Sequence, residues 1–218
     1  CSVRANVGKV VDAERQIVEL LDTAKSYYDA RPNEANGLML ATTLSYAAKV
    51  SNWQDKFNDA LRLYTVAIGV LCKMKSPPAD LLATTLASAG YQYNLAGRYN
   101  EALLLLEKAD EINEKMPDAR LSTRALITTN MGIAYMGKGK TEKAKIFIKE
   151  AESIAQTTMG LKELPAVYQA QAILHQVTGF IEAADQAYQK SILALELQNP
   201  SDNLQLVRIL KEYGQFLK

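Results

Sequence analysis

Little in this chain is set up for reactive chemistry. Its 218 residues hold one histidine, His175, and two cysteines, Cys1 and Cys72. Two cysteines do not make a disulfide framework, so they read as unpaired thiols, one at a chain end and one on a helix. Metal sites usually take three or four protein ligands. The His and Cys counts cannot supply them, and no cofactor is expected. Charge of one sign is not in excess either: 25 Lys and Arg face 24 Asp and Glu, for a net charge of +1. A long nucleic-acid track needs clustered Lys and Arg against the phosphates, so no nucleic-acid partner is expected. No apolar run approaches the roughly 20 residues of a membrane span; Leu103 to Leu106 is a short run with charged neighbours. No Asn-x-Ser/Thr acceptor is present, because Asn199 is followed by Pro200. No segment alternates apolar and polar residues long enough to require a strand.

What is present is apolar, helical and periodic. Residues of hydrophobic type make up 48% of the chain, enough for a folded core. Prolines 32, 77, 78, 117, 165 and 200 sit near the joins between apolar-periodic segments, where proline is tolerated. Between these stops the spacing predicts a first helix over about Ala5 to Ala30, with Val10, Ile17, Leu20, Leu21, Ala24 and Tyr28 as its stripe. Four helix pairs follow: Glu34–Val50 with Gln54–Lys73, Pro78–Leu95 with Tyr99–Lys115, Pro117–Met136 with Thr141–Thr157, and Leu164–Thr178 with Ile181–Gln198. A last helix is expected over Asp202 to Leu217, started by Pro200, Ser201 and Asp202.

The pairs repeat. Gly90, Tyr93, Gly97, Ala102, Ala109 and Ile112 return as Gly132, Tyr135, Gly139, Ala144, Ala151 and Ile154, each 42 residues on (132 − 90 = 42). A fixed period in this range marks a stacked repeat array. The turns Ala96-Gly97-Arg98, Lys138-Gly139-Lys140 and Thr178-Gly179-Phe180 place glycine where a helix end needs positive φ.

These residues resemble the tetratricopeptide repeat, in the longer form found in kinesin light chains. The pattern is a small residue, an aromatic three later, a turn glycine, an alanine five beyond it and another seven beyond that. The fourth pair keeps Ala172, Gly179 and Ala184, with His175 in the aromatic place and Ser191 in that of the last alanine. The first pair keeps Ala60, Tyr64 and Ala67, but Asp55 stands at the turn glycine and its first helix departs from the pattern. The resemblance implies an all-α, right-handed superhelical solenoid over residues 1–218: an N-terminal helix (1–31), repeats at 34–74, 78–116, 117–158 and 162–198, and a C-terminal capping helix (202–218) with one wet face.

It also implies a concave groove lined by the first helix of each pair. The groove positions map to Thr84, Ala87, Ser88, Tyr91 and Asn94 in the second pair. In the third they map to Thr129, Asn130, Ile133 and Met136, and in the fourth to Gln169, Ile173 and Gln176. Ser45, Lys49 and Asn52 are the counterparts in the first. The lining mixes amide, hydroxyl and apolar groups and lacks the Lys/Arg cluster with which such proteins clamp an acidic chaperone tail. Asn and Gln pair with peptide backbone, while Tyr and Met supply apolar contact.

Other features have plainer readings. His175 packs in the aromatic position. Gly137-Lys138-Gly139-Lys140-Thr141 ends like a phosphate-binding loop, but it follows a helix and has Ala134 where that motif needs glycine, so it is a turn. Glu101, Glu107, Asp110 and Glu111, with Lys108 and Lys115 interspersed, look like a solvated face. At least two of Tyr27, Tyr28 and Trp53 are expected in the core, and the remainder at a second interface.

The expected function is a non-enzymatic scaffold or adaptor binding a protein, peptide or partner helix in the groove. Two alternatives stand beside it. One is a bacterial envelope lipoprotein that aids complex assembly, lipidated at Cys1, which a small residue, Ser2, follows; membrane attachment is expected only in that case. The other is a ligand-sensing regulatory domain, Cys1 then being a boundary within a longer protein. The expected compartment is the cell envelope in the first alternative and the cytoplasm otherwise.

Overall fold

The computed structural model describes residues 2–116, 121–157, 164–198 and 204–218. Among them lie ten helices and no strand: α1 (Ser2–Ala30), α2 (Glu34–Trp53), α3 (Phe57–Leu71), α4 (Ala79–Leu95), α5 (Tyr99–Glu114), α6 (Leu121–Gly137), α7 (Thr141–Thr157), α8 (Leu164–Val177), α9 (Ile181–Gln198) and α10 (Leu204–Phe216). Helices α2/α3, α4/α5, α6/α7 and α8/α9 pack as pairs, and each pair stacks on the next through α3·α4, α5·α6 and α7·α8. The expected starts at Pro117 and at Pro200 to Asp202 lie outside the described residues, as does Cys1.

One small-to-large contact recurs inside every pair. A Cβ on Gly90 would lie 2.8 Å from Leu106 Cγ, and one on Gly132 would lie 2.5 Å from Ile148 Cγ1. In the outer pairs the small partner is alanine and the large one a ring: Ala48 clusters with Tyr64, and Ala172 with Tyr188. A flat ring lies against a methyl, whereas a branched aliphatic needs the methyl gone, because interiors are packed at crystal-like density. Ala60, Ala67, Ala102, Ala109, Ala144 and Ala151 are all fully buried beside these contacts.

The turns share one hydrogen-bond pattern. In the second pair Arg98 N–H donates to the Tyr93 carbonyl at 2.9 Å, and Gly97 N–H to that of Asn94 at 3.0 Å. This reciprocal pair satisfies the last carbonyls of a helix and requires a left-handed residue between. The same bonds join Lys140 to Tyr135 and Gly139 to Met136, Phe180 to His175 and Gly179 to Gln176, and Lys56 to Ser51 and Asp55 to Asn52. Gly97, Gly139 and Gly179 have φ of 70°, 69° and 80°; Asp55 takes the same place with φ 58°. The first pair is therefore in register with the others, and α3 starts at Phe57 rather than Gln54 because the turn occupies 54–56. Aspartate tolerates this conformation better than most side chains, alanine poorly. Asp55→Ala is expected to be about 1 kcal/mol less stable than Asp55→Asn by urea midpoint. Both variants lose the carboxylate, so equal midpoints would mean that the backbone makes no such demand.

Of the three N-terminal aromatics only Tyr28 packs, against Gly37 and the cluster around Ala24, Leu40 and Leu71. Tyr27 and Trp53 are 58% and 46% exposed, so the expectation of two in the core is corrected. Tyr27 lies off the Leu21, Ala24 and Tyr28 stripe with which α1 packs, and Trp53 is the last residue of α2. Cys72, at the end of α3, is exposed and unpaired. No helix among the described residues is long and apolar enough to cross a membrane.

Candidate functional site: the inner face and its resident helix

The first helices α2, α4, α6 and α8 lie side by side, with polar contacts between α2 and α4 and between α4 and α6 and an apolar contact between α6 and α8. Ser45 and Thr85 hydroxyls lie 3.3 Å apart between α2 and α4. Asn94 Nδ2 donates to the Asn130 carbonyl at 2.9 Å between α4 and α6. Several expected lining residues are thereby committed to the scaffold. Thr129 and Asn130 are 2% exposed and bond back to Ala125 and Leu126 of their own helix. Asn94 and Ala87 are also buried. Thr84, Ser88, Tyr91, Ile133, Met136, Gln169 and Ile173 are half-buried, while Lys49 and Gln176 are exposed. Ile133 and Met136 rest on Ala144, Ile148, Ala170 and Leu174, presenting an apolar middle to the face. Between α2 and α4 a crevice of about 90 Å³ is lined by hydroxyls of Thr42, Ser45, Thr84 and Ser88, with Tyr64 at its base. Burial pushes the Tyr64 hydroxyl up to about 12, against a hydrogen bond with Ser88 that lowers it, so it stays protonated.

The C-terminal helix is not a simple end cap. Its apolar side, Leu206, Ile209, Tyr213 and Phe216, packs on Ala172, Ala187, Tyr188 and Leu195 of α8 and α9. Lys211 and Lys218 face solvent as expected of its wet face, but Arg208 and Glu212 turn to the inner face. Arg208 Nη2 donates to the Asn52 carbonyl at 2.6 Å and to Asp55 Oδ1 at 2.7 Å, in the turn of the first pair. Its guanidinium stands over the Phe57 ring, 5.4 Å from the centroid, and adjoins the Tyr91 hydroxyl of α4. Burial raises the Tyr91 hydroxyl above its ordinary 10.0, and the adjoining Arg208 draws it back. One turn further along α10, Glu212 accepts from Gln169 Nε2 of α8 at 2.7 Å. The stacking thus brings the end of α2, Tyr91 of α4 and Gln169 of α8 to one side of α10.

Of the expected groove residues the structure thus joins Asn52, Tyr91 and Gln169 around one helix. Asp55, Phe57 and Arg208 complete that arrangement and were missed. The signal for the first was in the sequence, as an aspartate at a position where the repeats use glycine. His175 is half-buried and meets the edge of Phe180, at 6.3 Å between ring centres. Residues 137–141 form the α6–α7 turn. Lys138 there donates to Asn100, and Lys143 stands over the Tyr135 ring, within a recess of about 320 Å³. The acids of α5 are not all solvated: Glu101 pairs with Arg98 and Glu111 with Lys115, but Asp110 turns inward to Arg124. Among the described residues no group of three or more His, Cys, Asp or Glu is placed to hold a metal ion.

No family model matches the sequence, and no curated protein matches it. Solved structures do. BtubC (BKLC) of P. vanneervenii aligns with a TM-score of 0.64 at 17% identity, over 95% of this chain and 85% of that one. A putative kinesin light chain of Podospora anserina with nearly identical TPR-like repeats gives 0.54 at 15% identity, over 90% and 96%. A thermophilic TPR protein of Thermus thermophilus gives 0.51 at 18% identity, over 95% and 98%. These likenesses show the fold, a superhelical solenoid of antiparallel helix pairs of the tetratricopeptide type.

Proposed function

We propose that this solenoid is a non-enzymatic adaptor that takes a peptide or partner helix into its concave groove. Folds of this kind serve generally as protein-interaction scaffolds. The observation that carries the reading is the groove's present content: a helix seated by polar contacts to three of the four inner helices. The pre-stacked pairs supply a surface that needs no ordering on binding, which favours association. The half-buried hydroxyls of α4 and the apolar middle of α6 suit an amphipathic ligand with a modest polar face.

The test is affinity capture from a lysate of the source organism, comparing the natural chain with a Lys49→Glu/Thr84→Glu/Gln176→Glu variant. None of these side chains touches Arg208, and all lie on the inner face. A partner retained by the natural chain and lost by the variant is the expected result. Equal recovery from both would move the working surface to the outer helices and sink the proposal.

A further inference from the structure

The seat of Arg208 is a built site. Four chemically different groups converge on one guanidinium: a backbone carbonyl, a carboxylate, an aromatic face and a phenol. The carbonyl, Asn52 O, lies at the C-terminal end of α2, where the helix dipole attracts a cation. Asn52 also holds a buried Oδ1 with no donor among the described residues. The carboxylate is the most informative member. Asp55 is held at positive φ where the three sister turns use glycine. Backbone strain of this kind persists at functional sites, and here the strained residue is the one that supplies the charge.

The tenant is lightly held. Asp55 is 69% exposed on its side chain, and a pair so exposed is screened by solvent. Beside its packed stripe α10 leaves Val207 and Leu210 63% and 47% exposed, and Leu217, just past its end, 63% exposed. A terminal helix with uncovered apolar residues and two polar clasps one turn apart is suited to leave.

We propose that Asn52, Asp55, Phe57 and Tyr91 form an arginine-reading subsite for a partner helix, which α10 fills in the free chain through Arg208. The ligand is an amphipathic helix bearing an arginine and, four residues later, an acceptor for Gln169, as Glu212 is in α10. Entry of the partner requires α10 to swing out, so binding and release of α10 are one event. This rests on the groove reading above and narrows it to one ligand chemistry.

The probe is a fluorescein-labelled peptide of residues 204–218, titrated by anisotropy into the full chain. The natural chain is expected to bind it weakly, because its own arginine occupies the seat. The Arg208→Gln chain is expected to bind roughly 10-fold more tightly, as the competing occupant is weakened. Adding Asp55→Asn, which keeps the left-handed turn, returns binding to the weak level. The same peptide with glutamine in place of its arginine binds the Arg208→Gln chain no better than the natural chain binds the original. As a second readout needing no variant, saturating peptide speeds hydrogen exchange of the α10 amides in the natural chain.

Equal binding by the natural and Arg208→Gln chains, or by the arginine and glutamine peptides, overturns the inference, as does no binding at all. If binding ignores Asp55 yet is lost in Lys49→Glu/Thr84→Glu/Gln176→Glu, the groove stands and the arginine subsite falls. If it survives both changes, groove and subsite fall together.

Discussion

Gly132→Leu is expected to destabilise the protein by about 3 kcal/mol through overpacking. A Cβ at this position would lie 2.5 Å from Ile148 Cγ1 and 3.5 Å from the Ala144 carbonyl. Ile148 is 2% exposed, and the contacted atom is near the root of its side chain, so rotation cannot clear it. Replacing a mid-helix glycine gains about 1 kcal/mol of helix propensity, too little to offset the clash. The urea midpoint should fall accordingly. Ile148→Ala alone opens a cavity and costs about 2–5 kcal/mol. The double variant should be less destabilised than the sum, with a coupling of about 0.5–3 kcal/mol between contacting residues. Gly214→Ala is the matched control, since nothing lies within 4 Å of its Cβ position; it should leave the midpoint unchanged or raise it. An unshifted midpoint for Gly132→Leu would contradict the close approach of α6 and α7.

Arg124→Gln is the second large effect. This guanidinium, a quarter exposed, stands 2.9 Å from Asp110, 3.0 Å from Glu114 and 2.8 Å from Glu150. The contact with Asp110 is an ion pair without a directed hydrogen bond, whereas those with Glu114 and Glu150 are aligned bonds. It joins α5, α6 and α7, and without it three carboxylates face one another. Exposed pairs contribute about 0–1 kcal/mol and breaking a buried one costs about 3–5 kcal/mol; this node lies between, at about 2 kcal/mol. The loss should depend on pH. Burial raises the Asp110 carboxyl above its ordinary 3.8, Arg124 opposes that, and Glu114 and Glu150 add to it. Between the ordinary and the raised value the folded state binds a proton that the unfolded state does not, so stability falls as pH rises through that window. Removing Arg124 carries the window upward. The variant should therefore be most impaired near neutral pH and recover relative to the natural chain in mild acid. A deficit constant across that range would mean that Asp110 stays ionised and that the node is held by geometry rather than charge.

The inner pairs were legible in the sequence because one packing rule repeats. Gly90 and Gly132 face Leu106 and Ile148, and the glycine turns fix the helix ends at the same step. The first pair was obscured by Asp55, since aspartate is an infrequent choice for a left-handed turn and reads as a break in register. Its bonds to Asn52 and Lys56 to Ser51 show the same turn in different residues. At the groove, face assignment succeeded at coarse grain and burial did not. Asn94, Thr129 and Asn130 have the polarity of a ligand surface, yet Asn94 clasps the neighbouring helix and the other two bond back to their own, and only packing distinguishes the two uses. The place of α10 was beyond sequence reach. It depends on the summed rotation between successive pairs, which no local pattern encodes. The sequence therefore reads the last helix only as a cap with one wet face, without the inward turn of Arg208 and Glu212.

In an open stack of repeats each unit senses only its neighbours, and the ends can fray independently. Arg208 meets Asp55 across 153 residues of sequence. That contact makes the array a closed circuit: loosening the first pair withdraws support from the last helix, and the reverse. Any load that straightens the solenoid pulls on this contact, so extension of the array and release of α10 from the first pair go together.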